Sequence, residues 1–152
     1  VAAGVPVMLN AAPSGPLPEG LAARLTTLVV NEHEAAGLLG CRESVVTADV
    51  TSAAIALLER GPAEVVITLG ADGAVFASRN EVVHEPAFVV EVVDTTAAGD
   101  TFVGAFATRR GEGVPVRDAL RFACAAAAEA VRVAGAQSSI PLRTAIEARL
   151  GG

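Results

Sequence analysis

The chain contains no tryptophan and no tyrosine, and only five phenylalanines. Its core must therefore be built mainly from Ala, Val and Leu. Hydrophobic residues still reach 52%, against 18% charged, which excludes a disordered acidic chain, since such chains lack the aliphatic residues a core needs. Cysteine is scarce as well. Cys41 and Cys124 are the only two, whereas a disulfide scaffold or a zinc site needs more ligands at closer spacing. Reduced thiols are the expectation. Cys41 follows Gly40 in an expected loop, and Cys124 lies in the Ala-rich run Phe122-Ala-Cys-Ala-Ala126, where it reads as a small buried residue.

Positive charge is also short, with 11 Lys and Arg against 17 Asp and Glu and a net charge of -6. The densest basic spot, Arg109-Arg110, falls at an expected helix end, where cations suit the helix dipole. No basic patch suggests a nucleic-acid partner. No apolar run reaches the roughly 18–20 residues that span a bilayer, because the longest, from Phe122 to Val131, is broken by Glu129. No charged stretch precedes an apolar segment at the N-terminus, so no signal peptide is expected. These absences together point to a cytoplasmic protein with no membrane and no nucleic-acid partner.

What is present suits one domain over residues 1–152. A chain of about 150 residues buries roughly 68–70% of its unfolded surface. Fifteen glycines and eight prolines are spread along it, which excludes collagen and low-complexity linkers. The chain begins at Val1 without Met, and a strand-like run follows at once at 5–9, so it reads as entering a fold part-way through. A Pro/Gly loop follows, and Ser14 in it is not on a nucleophile elbow. A short helix is expected at 19–25 and a strand at 28–30. That strand runs into Asn31-Glu-His-Glu34, where Asn31 is a good N-cap, Glu34 stands at the capping-box position and Gly40 stops the helix. A helix over 51–60 stops at Gly61-Pro62. The run 65–69 is continuous and β-branched, as in a parallel strand covered on both faces. A turn at 70–73, a hairpin of 74–77 with 82–85 and a strand at 89–93 come next. Helices are predicted over 98–110, 116–133 and 141–150, the last with Pro141 in its first turn. The pattern gives an α/β fold with a mostly parallel sheet flanked by helices, a β-hairpin, and no internal repeat.

The most informative stretch is Asp94-Thr-Thr-Ala-Ala-Gly-Asp100-Thr-Phe102. It follows a predicted strand and opens a predicted helix. Small residues at Ala97, Ala98 and Gly99 let the backbone approach a ligand, and free N–H groups at a helix start favour an anion. A carboxylate at Asp100 would repel that anion unless its task is to take a proton from an attacking hydroxyl. Phosphoryl transfer needs this pairing of charge-absorbing donors with a base. The alternative is that Asp94 or Thr95 is an N-cap and Asp100 complements the dipole. There is no Gly-Lys-Ser/Thr cradle and no G-x-G-x-x-G. Thr68-Leu-Gly70-Ala-Asp-Gly73 leads from a strand end into a glycine turn, where open α/β sheets bind ligands, or is an ordinary hairpin turn. Asn31 and Glu34 occupy a similar junction, or form a capping box. His33 and His84 have no metal-ligand spacing and read as surface residues. No Ser/His/Asp or Cys/His arrangement stands out.

In this order, Leu9-Asn-Ala-Ala-Pro13, Asn31-Glu-His-Glu34, Ile67-Thr-Leu-Gly70, the Asp94–Phe102 string, Arg121-Phe-Ala-Cys-Ala-Ala126 and Gly135-Ala-Gln-Ser-Ser139 resemble the C-terminal half of the ribokinase-like (PfkB-type) carbohydrate kinases. The resemblance spans essentially the whole chain. It implies an ATP-dependent sugar kinase in which Asp100 is the general base and the amides of Ala97, Ala98, Gly99 and Asp100 hold the transferring phosphoryl group. Asn31 and Glu34 would position Mg²⁺ and phosphates, largely through water. Thr68, Gly70 and Gly73 would border the nucleotide, with Cys124 near the adenine, at a position where His or Asn is frequent. Asp94, the carbonyls of Thr96, Val133 and Gly135, and Ser139 match a monovalent-cation (K⁺) loop. The family's N-terminal half, with its lid and most sugar-binding groups, has no counterpart in this sequence. The other reading is therefore a catalytically silent nucleotide-binding fragment or a partner-binding remnant, with self-association through an uncovered face. Within the family the sugar remains open, and the Gly135–Ser139 loop leans towards ribose and K⁺.

Overall fold

A computed structural model describes residues 4–13 and 15–151. Val1 and Ser14 lie outside the described residues. The two β-branched runs do what their composition requires. Thr27–Asn31 forms β2 and Glu64–Thr68 forms β3, paired in parallel so that Asn31 stands opposite Thr68. Met8–Asn10 (β1) runs parallel to β2 on its other side, starting three residues later than the sequence suggests. The hairpin forms: Ala74–Ser78 (β4) lies antiparallel to β3, with Val82–Glu85 (β5) beside it. The sheet order is β1-β2-β3-β4-β5.

Between β2 and β3 the chain makes three helices, Glu32–Leu39 (α1), Glu43–Ala48 (α2) and Val50–Leu58 (α3). The sequence pattern leaves α2 out, because Val45, Val46 and Thr47 are β-branched and poor helix formers. Packing overrides that preference, since Val46 is fully buried. Asp49 then caps α3, accepting a hydrogen bond from the Ser52 amide at 2.9 Å. The helix expected at 19–25 shrinks to a 3₁₀ turn, Ala22–Arg24.

The expected strand at 89–93 does not form. Pro86 removes a ladder donor, Val89 is fully exposed, and the amides of Val93 and Asp94 both donate to the Val131 carbonyl rather than to a strand. Helices Ala98–Gly111 (α4), Val116–Ala130 (α5) and Arg143–Gly151 (α6) follow. Helix α5 ends three residues before the expected stop, and Pro141 precedes α6 rather than opening it.

These residues form two compact units, Val1–Gly70 with Ala74–His84, and Ala71–Gly73 with Glu85–Gly152. In the first, Leu28, Val30, Val65 and Ile67 of the sheet pack with Ala35, Ala54 and Leu57 of the helices. Each such fully buried Leu or Ile stabilises by about 1.5–3 kcal/mol. In the second, α4 lies along α5. The fully buried Ala119, Ala123, Ala125, Ala126 and Ala130 let helix backbones come close. A cluster of Phe122, Ala125, Ala126 and Ile146, with Phe88, Ala105 and Leu150 against it, ties α6 to α5. Arg143 adds a bidentate pair to Glu112 at 2.7 and 3.1 Å. No described helix is long and apolar enough to cross a membrane.

Candidate active site

In the first unit the parallel register carries Asn31 and Thr68 to the same end of the sheet. Asn31 is both the last residue of β2 and the N-cap of α1. Its Oδ1 accepts from the Glu34 amide at 2.8 Å, and Glu34 Oε2 accepts from the Asn31 amide at 2.9 Å. The capping box is therefore closed, and Glu34 is buried in it. One amide N–H pair on Asn31 and one oxygen on Glu34 remain for other partners. The Thr68 hydroxyl donates to the Val30 carbonyl at 3.4 Å. Gly70, at φ +53°, opens a 3₁₀ turn just beyond the strand. His33 is exposed and faces Glu43, 3.2 Å away, and His84 is exposed on β5.

In the second unit the Asp94 carboxylate joins two loops. Oδ1 accepts from the Thr96 amide at 2.9 Å, and Oδ2 accepts from the Gly135 amide at 2.8 Å. The Thr96 hydroxyl, followed by the amides of Gly135 and Thr96, holds this carboxyl down at about 2. Asp94 is thus no helix cap. Three of the five residues expected around a monovalent cation, Asp94, Thr96 and Gly135, are directly linked. Val133 and Ser139 stand on the same 131–139 segment, with the Ser139 hydroxyl buried and donating to the Ala136 carbonyl at 2.8 Å. Among the described residues no group of three or more His, Cys, Asp or Glu side chains is placed to hold a metal ion. Besides the Asp94 carboxylate these segments carry backbone carbonyls and the Ser139 hydroxyl, oxygen donors of the kind hard cations take.

The N-cap of α4 is Ala97, at φ 61° and ψ 9°, with no side-chain cap. It is the one non-glycine residue among those described with positive φ. That conformation costs an L-residue about 1–2 kcal/mol and turns the chain sharply into the helix. The Ala97 carbonyl accepts from the Thr101 amide at 2.9 Å, which starts the helical ladder. The Ala98 amide donates to the Thr95 carbonyl at 3.2 Å. The amides of Gly99 and Asp100 belong to the first turn, which has no intrahelical acceptors. The Asp100 carboxylate is exposed there, and nothing crowds the Cα of Gly99 within 4 Å of a built Cβ. The next side chain, Thr101, is buried, and its Oγ1 has no hydrogen-bond partner.

The same unit brings Gly73 and Cys124 to one residue the sequence reading passed over, Glu85. A Cβ on Gly73 would stand 2.1 Å from the Glu85 carbonyl oxygen, and the Cys124 thiol lies 4.0 Å from that oxygen. Burial, with the Glu85 charge second, pushes the Cys124 thiol up to about 12. Glu85 alternates inward with Val83 on β5. A charge on the buried face of a period-two run was the signal available in the sequence.

Residues 2–143 match the family described as pfkB family carbohydrate kinase. The ribokinase of Schizosaccharomyces pombe is 45% identical over 141 residues, covering 91% of this chain and 44% of that protein. A crystal structure of ribokinase from Thermotoga maritima superposes with a TM-score of 0.85 at 37% identity, over 98% of this chain and 50% of the other. The Arabidopsis thaliana ribokinase structure, complexed with ribose and ATP, gives a TM-score of 0.92 at 34% identity over 99% and 49%. The chain spans about half the length of the proteins it matches. Its sequence and its fold both place it in the pfkB family of carbohydrate kinases.

Proposed function

We propose that this chain is the nucleotide-binding part, over residues 1–152, of an ATP-dependent sugar kinase that transfers the γ-phosphoryl group of ATP to a hydroxyl of a small sugar, with ribose the first candidate. The observation that carries the reading is the turn from Asp94 to Asp100. A left-handed Ala97 delivers first-turn amides and one exposed carboxylate to the same helix start. The amides of Ala97, Gly99 and Asp100 face the charge that builds on the transferring group, and the Ala98 amide joins them if it leaves Thr95. Each such donor is worth about 10²–10³ in rate. Asp100 accepts the proton of the attacking hydroxyl, a step worth about 10²–10⁴.

Thr68, Gly70 and Gly73 border the nucleotide in this reading, and Cys124 lies by its base. Asn31 and Glu34 would hold Mg²⁺ through water, using the groups their capping box leaves over. Mg²⁺ supplies charge neutralisation on the phosphates when bound. A K⁺ ion would take the oxygens of Asp94, Thr96, Val133, Gly135 and Ser139. The linked Asp94–Gly135 loops would then keep the Ala97 turn in place, a positioning role. Cytoplasmic location belongs to the same reading.

The test is phosphorylation of ribose by ATP, with and without K⁺, for the protein and for Asp100→Asn. Loss of about 10²-fold or more in turnover is expected, and retained turnover refutes the base assignment. Because the chain spans about half of its relatives, a nucleotide-binding role without catalysis, or a partner-binding role through an uncovered face, is the second reading. ATP binding without sugar phosphorylation by the 152-residue chain would favour it.

A further inference from the structure

Away from the Ala97 turn, the second unit holds a cleft of about 510 Å³ formed by the segment 89–93, the end of α5 and the last turn of α6. That size suits a small molecule. Its charged groups are unevenly matched. Glu129 Oε2 accepts from Arg132 Nη1 at 2.9 Å, and Glu129 Oε1 accepts from Arg149 Nε. One carboxylate thus faces two guanidiniums, which leaves one positive charge over. Arg149 spends Nε on this contact and Arg132 spends Nη1, so each fork keeps N–H donors for another acceptor. The Arg149 side chain is only 21% exposed, and a cation held out of water attracts an anion more strongly than one on the open surface. Glu91 also lines the cleft, exposed and in no ion pair among the described residues. The cleft therefore carries one surplus cation and one surplus anion. Val93 and Val133 add apolar lining.

We propose that this cleft binds a small zwitterion, an α-amino acid with a short aliphatic side chain. Its carboxylate meets the forks of Arg132 and Arg149, its ammonium meets Glu91, and its side chain lies against Val93 and Val133. A plain anion would satisfy the guanidiniums but face Glu91 as a like charge. A plain amine would satisfy Glu91 but face the guanidiniums. A ligand with both charges answers both, which is the charge pattern of the lining itself. The place is also consequential. The Val93 amide donates to the Val131 carbonyl at 2.8 Å, and the next residue, Asp94, accepts from the Gly135 amide at 2.8 Å. A ligand against Val93 and Val133 braces the same two segments that Asp94 joins. The inference is independent of the nucleotide site proposed above.

The experiment is methyl NMR on the 152-residue chain with ¹³C-labelled valine methyls, at low ionic strength. Three unlabelled probes are titrated: L-valine, isovalerate, which lacks the ammonium, and isobutylamine, which lacks the carboxylate. L-valine should shift the Val93 and Val133 signals saturably. Each truncated probe should bind about tenfold or more weakly, the range of a hydrogen bond to a charged group. Two variants then separate the charges. Glu91→Gln should weaken L-valine but tighten isovalerate, each by about twofold to fivefold, as exposed charge pairs do. Arg132→Gln should weaken both. Glu91 is exposed and the Arg132 side chain half exposed, so neither change removes a core contact. The proposal is overturned by the absence of saturable shifts at Val93 and Val133, by equal binding of L-valine and isovalerate, or by a change in the same direction for both probes in Glu91→Gln.

Discussion

Two glycines three residues apart in one predicted nucleotide turn, Gly70 and Gly73, give a controlled test of what holds that turn. Both have positive φ, +53° and +97°. Their surroundings differ completely. No heavy atom lies within 4 Å of a Cβ built on Gly70. A Cβ on Gly73 would lie 2.1 Å from the Glu85 carbonyl oxygen, 2.6 Å from the Ala87 amide nitrogen and 2.7 Å from the Pro86 carbonyl carbon. All three are backbone atoms, so no side chain can rotate away.

For Gly70→Ala the cost is conformational, about 1–2 kcal/mol for an L-residue in a left-handed state. The narrower unfolded ensemble of alanine offsets about 0.4–1 kcal/mol of it, leaving a net loss of about 1 kcal/mol. Gly73→Ala carries the same terms plus forced backbone movement, typically about 1–3 kcal/mol, for a net loss of about 2–4 kcal/mol. At about 2–4 °C per kcal/mol for a chain of this size, Gly73→Ala should lower Tm by about 4–16 °C and Gly70→Ala by about 2–4 °C. Urea unfolding followed by far-UV circular dichroism gives the free energies directly, and near-equal m values confirm that both variants start from the same native state. If the two variants lose the same stability, steric closure around Gly73 is not what fixes the turn.

Three further outcomes follow from the same atoms. Ala97→Gly relieves a left-handed alanine at about 1–2 kcal/mol but gives back about 0.4–1 in unfolded entropy, so it should leave the urea midpoint unchanged or raise it slightly, and a clear loss of stability would contradict the strain reading. The Asp94 carboxyl is held at about 2 in the folded chain, against about 3.9 for an unfolded aspartate. Its stabilising effect is complete above about pH 4 and is lost as pH falls towards 2, because the unfolded state takes up the proton first. Unfolding midpoints from pH 5 to 2 should therefore fall less steeply in Asp94→Asn than in the wild type, and identical slopes would refute the assignment. Cys41 is exposed and Cys124 buried with its thiol pushed up to about 12. Iodoacetamide at pH 8 should add one label to the folded chain and two in urea by mass spectrometry, and rapid double labelling without urea would refute the burial.

What was legible in the sequence was local. The Asn31–Glu34 capping box, the β-branched runs that became β2 and β3, and the stop at Gly40 each depend on residues within four positions of one another, and each forms. What escaped depends on distant partners. Helix α2 exists because Val46 finds a core, against its own preference. The strand expected at 89–93 fails because the amides of Val93 and Asp94 are taken by Val131, the C-cap of α5 far along the chain. The alternative reading of Asp94 as a helix cap fails for the same reason: its second oxygen reaches 41 positions on, to the Gly135 amide. At the site, the motif names the residues from Asp94 to Asp100, yet spacing alone does not reveal that Ala97 carries the turn. Glu85 was visible only as a charge in phase with the buried face of its strand.

Those particulars share a cause. Four residues singled out for the site, Gly70, Gly73, Ala97 and Gly135, have left-handed backbone, the kind of local cost that persists only where the surroundings enforce it. The sequence also contains no lysine, its basic residues all being arginine. A Gly-Lys-Ser/Thr phosphate cradle could not be built from it. In the proposed site the phosphate would be met by the backbone amides of the Ala97–Asp100 turn, and amides are aimed by dihedral angles. Under that proposal small residues in unusual conformations would do the aiming, and Asp94, bonded to both the Thr96 and the Gly135 amide, would hold the turn that delivers them. Substitutions that change φ preference at these positions should accordingly alter anion affinity more than substitutions that change charge on the surrounding surface.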